Sequence, residues 1–286
     1  MASATQAPNT VAPVVPNSVH IVSANLIGAL LNFFFFGILL VQVYVYRVCF
    51  PKDRLRVKFL VYFILLATTA CICLNAADTE YWFGSGFGHT ERFSERRNSY
   101  FYTPLVGSFI AMLVQLFFTL RIVIIRFAAW PLAILIALIS MAQCVGGMGS
   151  GILGYIDANM KDQNIETDLV SMHDQIRTIL VYLWLICGSV ADILIAITMT
   201  VLLLKADVVP ATRDMVNSIM RLIVETNIFS AAIALLGLLL FVGSPNTTYF
   251  ICPMMILSGI YANTLMVSLN IRAITRRNYD SAPAAS

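Results

Sequence analysis

The stretch Leu185–Ala232, LICGSVADILIAITMTVLLLKADVVPATRDMVNSIMRLIVETNIFSAA, decides how the rest of the chain is read. It holds two long apolar runs separated by a short polar loop. Each run carries one carboxylate, Asp192 in the first and Glu225 in the second. A spanning helix takes about 20 mostly apolar residues. A charge at bilayer depth costs a few kcal/mol or more, so such residues turn inward and find partners. The stretch therefore predicts two adjacent membrane-crossing helices with a polar layer between them.

Working outward, five more runs have the same character. The seven predicted spans lie near Val22–Tyr46, Val57–Asp78, Thr103–Ile125, Trp130–Leu153, Ile176–Leu204, Val216–Val242 and Tyr249–Ile271. Backbone groups in lipid must bond within their own segment, so each run is an α-helix. A lipid-spanning barrel needs short alternating strands, and NFFFFGILLV (Asn32–Val41) does not alternate. The composition agrees: 12% of the 286 residues are charged, about half the usual share of a soluble domain, and the mean hydropathy is +0.83. The reading is an all-α bundle of seven transmembrane helices over residues 22–272, with an extracellular disordered tail at 1–21 and a cytosolic tail at 273–286. The first 21 residues contain no Lys or Arg, so they lack the basic start of a cleaved signal peptide.

Basic residues fix the expected orientation. Arg47, Lys52, Arg54, Arg56, Lys58, Arg121, Arg126, Lys205, Arg213, Arg272, Arg276 and Arg277 fall on one side, twelve against five (Arg92, Arg96, Arg97, Lys161, Arg177) on the other. The positive-inside rule then puts the N-terminus outside and the C-terminus in the cytosol. The resulting basic inner surface suits lipid headgroups or a cytosolic partner. A net charge of +3 gives no ground for a nucleic-acid partner. The six cysteines sit in or beside apolar runs without a C-x-x-C pair, so neither a disulfide framework nor a zinc module is expected. Cys49, at an inner membrane end, is the candidate for lipidation. Tyr81, Trp82, Trp130, Tyr182 and Trp184 are expected in interfacial aromatic belts. Asn246-Thr247-Thr248 is a glycosylation sequon on the outer side.

Inside the membrane, Asp192 is some 18 Å from the inner end of its helix and Glu225 roughly 13 Å deep, counting 1.5 Å per residue. Consecutive antiparallel helices would bring them to one depth. Arg221 lies one turn before Glu225 on the same face. Gln115 and Asn263, near mid-depth on the third and seventh spans, are expected to line the same layer. Two readings stand: a structural Arg221–Glu225 pair beside a hydrogen-bonded Asp192, or a site for a ligand, proton or ion. In VGGMGSG (Val145–Gly151), Gly147 and Gly151 form a G-x-x-x-G that predicts close helix packing within the bundle. No H-E-x-x-H, G-x-S-x-G or intramembrane histidine pair is present, so no enzyme, metal centre or cofactor site is expected.

Two blocks carry a family resemblance. One is Gly28–Val61, GALLNFFFFGILLVQVYVYRVCFPKDRLRVKFLV; the other runs from SVADILIAITMTVLLL (Ser189–Leu204) through RLIVETNIFSA (Arg221–Ala231) to YANTLMVSLNIR (Tyr261–Arg272). Together they resemble a fungal family of seven-helix integral membrane proteins, the domain of unknown function 6534, with the named domain over about residues 176–272. Ser268, Leu269, Asn270, Ile271 and Arg272 keep that family's closing pattern, whereas Glu225-Thr226-Asn227 stands where its members show Gln-Thr-Gly. The resemblance implies fold and membrane location and carries no biochemistry. Three functions follow as expectations: a receptor-like sensor at the plasma membrane, a small-molecule or proton-coupled transporter using Asp192 and Glu225, or a structural membrane protein without ligand. The oligomeric state is not legible.

Overall fold

A computed structural model describes residues 16–86, 98–162, 167–204, 210–244 and 249–280. It contains seven helices long and apolar enough to cross a membrane: α1 (Pro16–Cys49), α2 (Leu55–Thr79), α3 (Ser99–Ile125), α4 (Trp130–Asp162), α5 (Thr167–Leu204), α6 (Pro210–Gly243) and α7 (Ile251–Asp280). Among the described residues there is no strand. The protein is an all-α, multi-pass membrane bundle. Residues 16–21, expected in the tail, begin α1, and α7 continues past Arg272 to Asp280. The reason is local: a helix that leaves the lipid keeps its backbone bonds, so hydropathy marks the span and not the helix end. The remaining tail residues, the sequon at Asn246, and Lys205 and the Arg213 side chain lie outside the described residues, as do the side chains of Arg276 and Arg277.

Each helix packs on its neighbour in the chain, and α1 closes the ring against α7; α3 runs inside, touching α4, α5 and α7 as well as α2. The least apolar span, α7, is also the most enclosed, with 89% of its central window buried against 28% for α1, α2, α4 and α6. A helix surrounded by helices need not match lipid, so α7 can carry Ser258, Asn263, Thr264, Ser268 and Asn270. The outer helices present Phe59, Leu66, Leu138, Ile179 and Leu239 to the surroundings, a surface that lipid solvates and water would not.

Between helices in lipid the hydrophobic effect supplies little, and close contact plus hydrogen bonding hold the bundle. The glycines of α4 provide the contact. A Cβ on Gly151 would stand 2.8 Å from the Phe101 carbonyl oxygen, and one on Gly147 would meet Ser108 and lie 2.9 Å from the Pro104 carbonyl, both on α3. A Cβ on Gly146 would lie 2.8 Å from the backbone of Leu180 and Trp184 on α5. The run VGGMGSG thus seats α4 between two neighbours. Along the α1–α7 seam, Asn263 Nδ2 donates to the Phe35 carbonyl at 2.9 Å and Asn270 Nδ2 to the Gln42 carbonyl at 2.8 Å. The step is seven residues on both helices, the register of two parallel helices. The odd-numbered helices all run the same way, so this seam and the α3–α7 seam are both parallel.

Two tryptophans depart from the belt reading. Trp82 and Trp184 are 3% and 6% exposed and pack inside, while Trp130 is half-exposed. The C-terminal end of α2 is held by a carboxylate that the hydropathy pattern treats as a boundary. Asp78, fully buried, accepts the backbone N–H of Ser99 at 2.7 Å and the amide of Asn98 at 3.1 Å. It thereby satisfies an end-group donor of α3, where a negative charge is favoured.

Candidate functional site

Asp192 lies on the inward face of α5, in a stripe of Gly188, Ser189, Ala191, Ile195, Ala196 and Met199. The small residues around it let α3 approach, and the long Tyr261 side chain reaches it from α7. Gln115 belongs to the α3 stripe Ile110, Ala111, Val114, Phe118 and Ile122, every member of which is at most 1% exposed. Its Nε2 donates to Asp192 Oδ1 at 2.8 Å. From α7, the Tyr261 hydroxyl donates to Asp192 Oδ2 at 2.5 Å. Both carboxylate oxygens are therefore engaged, and three parallel helices are tied at one point. Among the described residues no cation pairs with Asp192.

Two carbonyl oxygens nearby are buried without a hydrogen-bond donor, Gln115 Oε1 and Gln143 Oε1. Gln143, on α4, packs against Gly188, one turn from Asp192: a Cβ there would lie 3.3 Å from Oε1. Orphaned acceptors in an apolar interior cost about 1–3 kcal/mol each. The layer thus combines a carboxylate held by two neutral donors with acceptors that the fold leaves unused.

The structure does not bring Glu225 to this layer. Glu225 and Arg221 have side chains 53% and 78% exposed and pair with each other at 2.8 Å on the outer surface of α6. The pair faces away from the bundle interior, so what differs from the expectation is the helix face on which Glu225 lies. Asn263 is likewise turned away, its Nδ2 donating to Phe35 and Gly259 carbonyls toward α1. The side chain α7 gives to Asp192 is Tyr261, two residues earlier and hence on another face. Its signal in the sequence was a tyrosine in mid-span, far from either interface.

At the end of the bundle where α1, α3 and α7 finish, a second polar cluster forms in the α1–α2 loop. Asp53 Oδ2 accepts the Tyr46 hydroxyl at 3.0 Å and Arg272 Nη2 at 2.8 Å, and Oδ1 accepts the backbone N–H of Arg54 at 3.0 Å. Burial pushes the Asp53 carboxyl up, but these donors, Arg272 first, outweigh it and hold it below the ordinary carboxylate value. Arg272 also stacks on Phe50, 4.6 Å from the ring centre. Cys49, next to this cluster, is an exposed free thiol. Among the described residues, no three His, Cys, Asp or Glu side chains gather into a metal-binding group.

Residues 188–274 match the model of a family of unknown function (DUF6534). No curated protein matches the chain, and no solved structure does. The matched segment contains Asp192, Tyr261, Ser268 and Arg272, while Gln115 lies before it. Over residues 188–274 the chain is thus similar to this family of unknown function.

Proposed function

We propose that the protein is a receptor-like sensor whose responding element is the Asp192 layer. One observation carries this reading: a single carboxylate with no cationic partner among the described residues ties α3, α5 and α7 through both of its oxygens. A change of charge or hydrogen bonding at Asp192 acts on all three helices at once, and an element that two conditions bias differently is what a sensor requires. The basic surface at Arg47, Arg54, Arg126 and Arg272 is the output face toward a cytosolic partner, with the N-terminus outside and the plasma membrane as location. No catalytic role is assigned. The second reading, a proton-coupled carrier, draws on the orphaned acceptors of Gln115 and Gln143 beside the carboxylate.

The test uses the full chain reconstituted in lipid vesicles. Trp184 lies two turns from Asp192 on α5, so its fluorescence reports rearrangement of that face. The sensor reading expects a pH-dependent fluorescence transition that disappears in Asp192→Asn, with no proton flux across the vesicle wall. Flux that Asp192→Asn abolishes would establish the carrier instead. An unchanged transition in Asp192→Asn would remove Asp192 from either role.

A further inference from the structure

Arg121 is a partly buried cation that the fold leaves without an acid. It follows Gln115 on α3 by six residues, roughly 9 Å along the axis, and its Nη1 donates to the hydroxyl of Ser268, 1% exposed, on α7. Among the described residues no carboxylate pairs with it. Arg272 lies one turn beyond Ser268 on α7, which brings a second guanidinium to this end. Arg272 has its own acid in Asp53, which Tyr46 and the Arg54 backbone also hold. The one carboxylate at this end is thus taken by Arg272, and Arg121 has none among the described residues.

Partly buried charges are ordinarily paired, because removing a cation from water without a counter-ion is costly. A guanidinium offers five N–H donors in a planar fork, and Ser268 uses only one. The complement is an oxyanion with at least two free oxygens. Arg121 lies in the last turns of the α3 span, at the depth where headgroups begin, and the exposed cations Arg47, Arg54 and Arg126 surround this end. We propose that Arg121, Ser268 and Arg272 form a binding site for an anionic phosphate, supplied by a lipid headgroup whose phosphate is not neutralised by its own amine. The site is separate from the Asp192 layer and stands or falls independently of the sensor reading.

The experiment places the full chain in nanodiscs of phosphatidylcholine with and without phosphatidic acid, and measures melting temperature and lipid retained in native mass spectrometry. Wild type is expected to melt higher with phosphatidic acid and to retain it at least tenfold over phosphatidylcholine. Arg121→Gln should lose most of that preference while melting as wild type does in pure phosphatidylcholine. The exposed control Arg126→Gln should keep it. If Arg121→Gln does not fold, Ser268→Ala, which frees the guanidinium without deleting it, should weaken the preference several-fold. Inorganic phosphate or glycerol phosphate added to detergent-solubilised protein separates the sources: equal stabilisation by either would keep the phosphate site and overturn its lipid origin. Equal retention of both lipids by wild type, or an undiminished preference in Arg121→Gln, would overturn the proposal.

Discussion

Replacing Tyr261 with phenylalanine deletes one donor to Asp192 and leaves the Gln115 donor in place. The carboxylate then keeps only Gln115, and stability should fall by about 1–3 kcal/mol, the cost of a buried polar group left half-satisfied. Thermal melting in detergent checks this, and a change below about 0.5 kcal/mol would mean that the hydroxyl is not a partner. Glu225→Gln should move melting by less than about 1 kcal/mol, because an exposed ion pair contributes little and both partners are largely exposed. Depth counting treated Asp192 and Glu225 alike, since each is a carboxylate in an apolar run. What separates them is which way the helix face turns, and in lipid that is only weakly encoded. A residue two positions away points to a different neighbour, so Asn263 and Tyr261 exchange roles although their depths agree. Asp53 behaves differently because it lies outside the spans. Its folded carboxyl is held below the ordinary value, so the stabilisation it gives is complete above the ordinary carboxylate range, near 4, and is lost as pH falls through the lower folded value. Asp53→Asn should melt lower than wild type at neutral pH and show a flatter decline in acid, measured as melting temperature against pH.

Among the elements, α4 was the most legible in kind and the least in detail. The G-x-x-x-G of Gly147 and Gly151 announces close packing, and both glycines meet α3. The offset Gly146 serves a second contact, with α5, that the motif does not describe. Gly151→Leu should push a side chain into the Phe101 carbonyl and Pro104 ring, and Gly146→Leu into the α5 backbone. Each should cost 1–3 kcal/mol or more, roughly what overpacking costs in a tight core, read as lower melting and lower yield of folded protein. Gly37 has no heavy atom within 4 Å of a built Cβ, so Gly37→Ala is the matched control and should be neutral or slightly stabilising. Equal melting of Gly37→Ala and Gly151→Leu would mean that α4 does not touch α3 as described. The interior position of α7 left a trace in the sequence through its polar residues, which no lipid-facing span can carry in that number. The Asp78 contact to α3 left none beyond one acid at the end of a run, because a run boundary and a buried capping carboxylate look the same without the partner helix.

For the whole molecule, seven runs of spanning length fix the number of helices, and an odd number puts the two ends of the bundle on opposite faces. Which face is cytosolic rests on the basic residues, and Cys49 offers a direct measurement. It is exposed at the end of α1, beside Arg47 and the Asp53–Arg272 pair, so it reports the side on which that cluster lies. Cys71 and Cys144 are buried, and with Cys73, Cys187 and Cys252 changed to serine or alanine, Cys49 remains the accessible thiol. A membrane-impermeant maleimide applied to intact cells should then leave Cys49 unlabelled, and the same reagent applied after permeabilisation should label it. Persistent protection after permeabilisation, removed by hydroxylamine, would show that Cys49 carries an acyl group, which still requires the cytosolic side where the thiol meets its transferase. Labelling in intact cells would invert the bundle. The Arg121 site would then face the outer leaflet, where anionic phosphates are scarce, and the basic surface would lose its cytosolic partner. The Asp192 layer would survive unchanged, because it depends on the parallel course of α3, α5 and α7 and not on which way they point.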